Sequence, residues 1–455
     1  MNKEKTWLER TLGLVTEVRS GEAGTALLLT ANVFLLLTAY YVIKPVREGL
    51  ILELESGAEY KSYMGGVIAI SLLVLVPLYA KFASRVSRGK LVVGVTLFFA
   101  THLLLFYFGS FVPTIRANLG LVFYLWVGVF NMMLVAQFWA FANDIYNEES
   151  GKRLFPLVGI GASLGAALGS RVAGALAIPL GRYPLLVISA ALLSVCAVLF
   201  YVVNRRESQP NTEKATAVEN AAALDAAPKA AEDKNSGAFA LVWNHKYLRL
   251  LAAFSMVFTV VNTNGEFLLS KLFKATATEA LAAGEITEAA IGDFITAQFG
   301  DFFFAVNVGG VLMQTFVVSR IVKYGGLRVA FFVLPLIALM GSLAFAVVPI
   351  LMVLRSLKVM ENATDYSLNN TVRNMLWLPT TKEMKYRAKQ AVDTFFVRMG
   401  DVLSTVCVLV LSTWLGFELR AFAVVNGLIV VVWLVLAYAI VKENRRLSSS
   451  SGAAT

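Results

Sequence analysis

Six polar side chains recur along one stretch at the spacing of a helix face. At 100° per residue, Arg355, Lys358, Asn362, Asp365, Asn369 and Arg373 fall within an arc of roughly 80°. Leu354, Leu357, Met360, Ala363 and Leu368 fill the rest of that helix. A charge at the bilayer centre costs on the order of 3 kcal/mol or more, so such residues turn to a bundle interior or a watery pathway. Arg355, Lys358 and Asn362 can meet an anion through charge-assisted hydrogen bonds. Asp365 can pair with these cations when the site is empty, or act as a coupling carboxylate. This is the chemistry of solute passage.

Other helices carry similar groups. Tyr40, Lys44 and Arg47 recur at i, i+4, i+7, with Glu48 beside them and Pro45 loosening the local ladder. Lys44 and Arg47 could instead snorkel to the outer interface, but the apolar pattern resumes at Leu50-Ile51-Leu52. Thr259, Asn262, Glu266 and Ser270 share one narrow face. Lys44 and Glu266 lie at similar depths in helices one and seven, so a Lys44–Glu266 pair is expected to close the outer side. Phe138-Trp139-Ala140-Phe141-Ala142-Asn143 offers Phe141 and Asn143 to a planar group, with Tyr40; lipid or core packing competes with that reading. Asp393, Arg398 and Asp401 form a further cluster, in which Arg398 and Asp401 can neutralise one another at i, i+3. Gly161, Gly165 and Gly169 at four-residue spacing allow another backbone to approach closely.

Catalytic patterns do not emerge. Gly151-Lys152 lacks the upstream Gly and following Ser/Thr of a phosphate-binding loop. His102 and His245 stand apart, and Cys196 and Cys407 sit in apolar runs. No enzyme activity, metal, cofactor or nucleic-acid partner is expected; the expected partners are a small solute and the lipid bilayer, with the protein acting as a monomer.

The elements that must position these groups are membrane helices. The chain of 455 residues is 58% hydrophobic and 15% charged, whereas a soluble domain carries about a quarter charged residues. Residues 1–22 read as an amphipathic helix on the cytoplasmic surface. Six apolar segments come next, near 23–49, 62–82, 90–111, 117–142, 154–180 and 183–204. Six more lie near 247–272, 300–321, 327–348, 350–373, 390–415 and 420–441. Each approaches or exceeds the ~20 residues of a bilayer crossing. The fold class is therefore an all-α polytopic membrane protein with twelve transmembrane helices. Its expected parts are a bundle at 23–204, a cytoplasmic and partly disordered linker at 205–246, a bundle at 247–441 and a tail at 442–455. Residues 275–298 read as an external helical hairpin or lid.

Lys81, Arg85, Arg88 and Lys90 follow segment two, and Lys382, Lys385, Arg387 and Lys389 follow segment ten. Alternate loops carry Glu53, Glu55 and Glu59. With positive loops inside, both termini are cytoplasmic in a cell (inner) membrane. Ser84-Arg85-Val86-Ser87-Arg88 matches Ser319-Arg320-Ile321-Val322-Lys323 at the displacement that also brings Lys152 onto Arg387 and Gly165 onto Gly400. That shared offset implies a six-plus-six duplication around a midplane site. The basic loops also resemble the loop motif of the major facilitator superfamily.

Lys44-Pro45-Val46-Arg47-Glu48-Gly49-Leu50, Phe138-Trp139-Ala140-Phe141-Ala142-Asn143, Arg153-Leu154-Phe155-Pro156-Leu157-Val158-Gly159-Ile160-Gly161-Ala162, and the blocks Lys385-Tyr386-Arg387-Ala388-Lys389, Asp393-Thr394 and Arg398-Met399-Gly400-Asp401 resemble the ADP/ATP carrier proteins of bacteria and plastids. The resemblance covers roughly residues 20–445. It implies a major-facilitator-like fold and exchange or import of ATP and ADP by alternating access, with Lys44 at the family's charged position in helix one. Val127 stands where the resemblance implies an acidic residue, and Asp365 where it implies a basic one. The alternative is a proton- or sodium-coupled carrier of a non-nucleotide solute or lipid, with Glu266 and Asp365 as coupling sites.

Overall fold

The computed structural model describes residues 16–19, 21–207, 237–347, 350–381 and 383–452. Most of the expected amphipathic helix at 1–22, and most of the linker at 205–246, lie outside the described residues. Twelve long helices succeed one another within them. They are α1 (Ala23–Leu52), α2 (Gly57–Ala83), α3 (Arg88–Gly109), α4 (Pro113–Ile145), α5 (Glu148–Leu180) and α6 (Pro184–Glu207). After a short helix at Ala238–Asn244 come α7 (Lys246–Ala282), α8 (Ile291–Leu312, prolonged by π-type turns to Gly325) and α9 (Gly326–Val347). The last three are α10 (Leu351–Thr364, prolonged to Met375), α11 (Lys389–Trp414) and α12 (Leu419–Gly452).

Length and hydropathy alone pick out nine membrane-crossing stretches among the described residues, one of them the 60 residues Glu288–Val347. At 1.5 Å per residue that stretch is far too long for one crossing. It breaks at Gly326, where φ is +67°, a conformation that glycine adopts without the Cβ clash. The two helices that fail the apolar criterion are α7 and α10, which carry the polar faces. The external hairpin expected at 275–298 is the prolongation of α7 and α8 themselves, turning at Gly284. The expected tail is helical to Gly452 as part of α12.

Each half has an apolar core. In α1–α6, Phe99, Phe123 and Phe130 are buried around half-buried Trp126. In α7–α12, Phe254 stacks on Phe331 and meets Trp433. The small residues of α5 do what their spacing implies. A Cβ at Gly165 would lie 2.2 Å from the Phe34 carbonyl oxygen, and one at Gly169 2.3 Å from that of Thr38, so α1 and α5 touch backbone to backbone.

A third core joins the halves at the end of the bundle remote from the start of α1. Ile51, Leu52 and Tyr124 of the first half pack with Phe273, Phe299 and Phe302 of the second. Here too the backbones are close: a Cβ at Gly300 would lie 2.3 Å from the Gly174 nitrogen. Polar contacts add to the seal. Lys274 donates to the carbonyls of Leu54 and Glu55 in the turn that follows α1. Arg182 bridges Glu53 and Asp293, with 2.8 Å between its Nη1 and Asp293 Oδ1. Below this seal the halves part around a central cavity.

At the opposite end, Arg153 of α5 grips Glu22, just ahead of α1, with two bonds of 2.9 Å. These bonds hold the Glu22 carboxyl below its ordinary value. A depressed folded value means the stabilisation is complete above the unfolded carboxylate range and fades as pH falls through the folded value. The melting-temperature advantage of the parent over Glu22→Gln should accordingly be constant above pH ~5 and shrink below the ~4.3 of a free glutamate. An advantage that grows on acidification would refute this assignment.

Candidate functional site: a charged cavity between the halves

The cavity holds about 300 Å³. Four cations (Lys44, Arg47, Lys61, Arg398) and three carboxylates (Glu266, Asp365, Asp401) line it, with the amides Asn131, Asn262 and Asn362. α1, α2, α4, α7, α10 and α11 each contribute, so the site exists only where the halves meet.

Its charges are mostly committed to one another. Buried Glu48 accepts from Arg47 and forms an ion pair of 2.8 Å with Lys61. Lys61 Nζ also donates to Ser270 Oγ at 2.9 Å and reaches Glu266 at 3.7 Å. Glu266 accepts from Asn362 Nδ2 at 3.0 Å. Arg398 pairs with Asp401 at 3.0 Å, and Asp401 accepts from Thr263. Asp365 accepts from Asn369 Nδ2 at 2.8 Å.

Lys44 differs. Its ammonium stands 3.8 Å from the centre of the Phe303 ring and 5.2 Å from that of Tyr41. The neighbouring carboxylates are taken by Lys61, Arg47 and Asn362. The aromatic faces offset part of the cost of the buried charge through the ring quadrupole. They leave its hydrogen-bonding capacity for a ligand.

The expected direct pair between Lys44 and Glu266 is therefore replaced by one between Lys61 and Glu266. The expected second span began at residue 62 and left Lys61 in the loop, although α2 starts at Gly57. Arg182 and Glu361 were missed as well. Lys358 lies beside the cavity, where it donates to Glu361 at 2.8 Å and to Asn262 Oδ1 at 3.2 Å. Half-buried Arg355 is not part of the cavity lining.

Other expected site residues lie elsewhere. Tyr40 is buried in the first-half core and stacks on Phe130 at 6.0 Å. Phe141 is 3% exposed and packs edge-on to Phe200. Asn143 is exposed and borders a surface groove with Lys152 and Phe155. Asp393 pairs with Arg373 at 3.0 Å, away from the cavity lining. A π-type turn at Asp365–Asn369 accounts for part of this. It inserts an extra residue into the turn and rotates the C-terminal remainder of α10, so the uniform 100° wheel fails beyond Asp365.

Two helical halves with a shared polar cavity, shut at one end, have the architecture of a membrane carrier. The sequence profile of the Major Facilitator Superfamily matches residues 26–378. The chain belongs to that family and is a multi-pass membrane transporter. It is also similar to ADP,ATP carrier protein 1 of Chlamydia trachomatis serovar D. The two are 22% identical over 486 aligned positions, covering 91% of this chain and 87% of the carrier. Among solved structures, the nucleoside transporter NupG superposes with a TM-score of 0.57 at 13% identity, covering 92% of this chain and 98% of that one. A bacterial homologue of the iron transporter ferroportin, in an inward-facing state, gives 0.61 at 15% identity, with coverages of 91% and 98%. At such identities these structures speak for the fold alone.

Proposed function

We propose that this protein exchanges or imports nucleotides such as ATP and ADP, or a related phosphorylated anion, by alternating access. The observation that carries the reading is Lys44, a cavity cation backed by aromatic rings and left without a carboxylate partner among the described residues. Arg47, Lys61 and Arg398 add donors that can turn from their carboxylates to phosphate oxygens. The similarity to a carrier whose name specifies ADP and ATP agrees with that chemistry. The bundles at 23–204 and 247–441 rock as two halves, and the structure's sealed end faces outward. Both termini then lie in the cytoplasm beside an inner membrane, on the side of the basic loops.

The test is a melting-temperature screen of the purified protein, followed by counterflow in vesicles. ATP or ADP should raise the melting temperature in a saturable manner, and internal nucleotide should accelerate uptake of labelled nucleotide. Silence across nucleotides in both assays would discard the nucleotide reading.

A second reading is favoured by Asp365, a cavity carboxylate whose polar partner is the neutral Asn369. A proton- or sodium-coupled carrier of a non-nucleotide solute would use such a group. It predicts uptake driven by a pH or sodium gradient with no internal solute.

A further inference from the structure

Lys61 holds two positions at once. It lines the cavity, within reach of a bound solute, and it joins the two halves at the cavity's outer roof. The Lys61 ammonium hydrogen-bonds Ser270 of the other half and forms ion pairs with Glu48 of its own half at 2.8 Å and with Glu266 of the other at 3.7 Å. Its side chain is 9% exposed and stands 5.1 Å from the centre of the Phe299 ring, so water does little to replace a lost partner. An anion that binds the Lys61 ammonium competes with those partners. Glu48 is fully buried beside Arg47, so the displaceable ones belong to the opposite half.

We propose that Lys61 ties anion binding to opening of the outer end: the anion takes the place of Glu266 and Ser270 on the Lys61 ammonium, which frees the halves to separate there. Without an anion, separation would take Lys61 away from Ser270 and Glu266 with nothing to replace them, so the empty carrier stays shut. This rests on the anionic substrate proposed above.

The test reads opening directly. Thr296 of α8 is fully buried where α1 meets it; a Cβ on Gly49 would lie 2.0 Å from its Oγ1. Thr296→Cys, in a protein carrying Cys196→Ala and Cys407→Ala, reports outer opening by its labelling rate with a charged maleimide. The parent should label slowly alone and faster with ATP. Lys61→Gln and Glu266→Gln should each label about tenfold faster than the parent with no nucleotide, as expected when a tie holding one state is removed. ATP should then add nothing further.

Glu266→Gln cuts the same tie while leaving Lys61 on Glu48, so the test survives if Lys61→Gln does not fold. Cys196, buried in the first-half core and bonded to the Asn32 carbonyl, serves as the control for general loosening and should stay unlabelled in every variant that retains it. Unchanged slow labelling of both variants would overturn the proposal. Fast labelling of both variants, with a parent that ignores ATP, would leave the lock standing and remove nucleotide as the anion that releases it.

Discussion

Lys44→Ala should weaken binding of the proposed nucleotide by about 30- to 150-fold, the ~2–3 kcal/mol of a hydrogen bond to a charged group. The lost ammonium sits over Phe303 and Tyr41, so alanine removes the charge without unpairing a buried carboxylate. The protein should therefore fold and melt close to the parent when no ligand is present, while the nucleotide-dependent rise in melting temperature disappears. Lys44→Arg should recover part of that rise, because charge returns with a different donor geometry. A Lys44→Ala protein that is stabilised by ATP as strongly as the parent would remove Lys44 from the binding site.

Arg182→Gln should have the largest effect on stability. The side chain is 2% exposed and forks between Glu53 of its own half and Asp293 of the other, with its backbone N–H also donating to Asp293 at 2.9 Å. Removing one member of a buried ionic cluster leaves uncompensated charge and costs on the order of 3 kcal/mol. Glu53 and Asp293 would both lose their guanidinium partner here. Denaturation in detergent should show that loss, and Arg182→Lys should recover little of it, since an ammonium cannot reproduce the fork. Stability equal to the parent would mean that Arg182 contributes nothing to the seal between the halves. Unlike Lys61, Arg182 lies outside the cavity lining, so ATP should not restore the lost stability.

The membrane class, the crossings and their order were legible in the sequence because each crossing must satisfy its own backbone in lipid. Even the two least apolar helices, α7 and α10, were placed, since their polar groups recur at helical spacing. Lys44, Arg47, Asn262, Glu266, Asn362, Asp365 and Arg398 were singled out from that spacing, and all seven line the cavity. The i, i+3 pairing of Arg398 with Asp401 was likewise local and readable.

Partner choice was not readable. Glu266 was expected to meet Lys44, but the rotation of α2 brings Lys61 to it instead. Tyr40 and Phe141 share helices with cavity residues yet face the core, because a helix with two buried sides gives no sequence signal for which side is wet. Beyond Asp365 a π-type turn rotates α10 and carries Arg373 to Asp393. Composition and periodicity thus determined that this chain is a polytopic helical carrier with charges turned inward. Tertiary packing alone decided which charges neutralise one another, which cation is left for a ligand, and which end is shut. The physical reason is that helix formation and membrane insertion are local properties of a segment, whereas a buried ion pair depends on the rotation and approach of helices far apart in the chain.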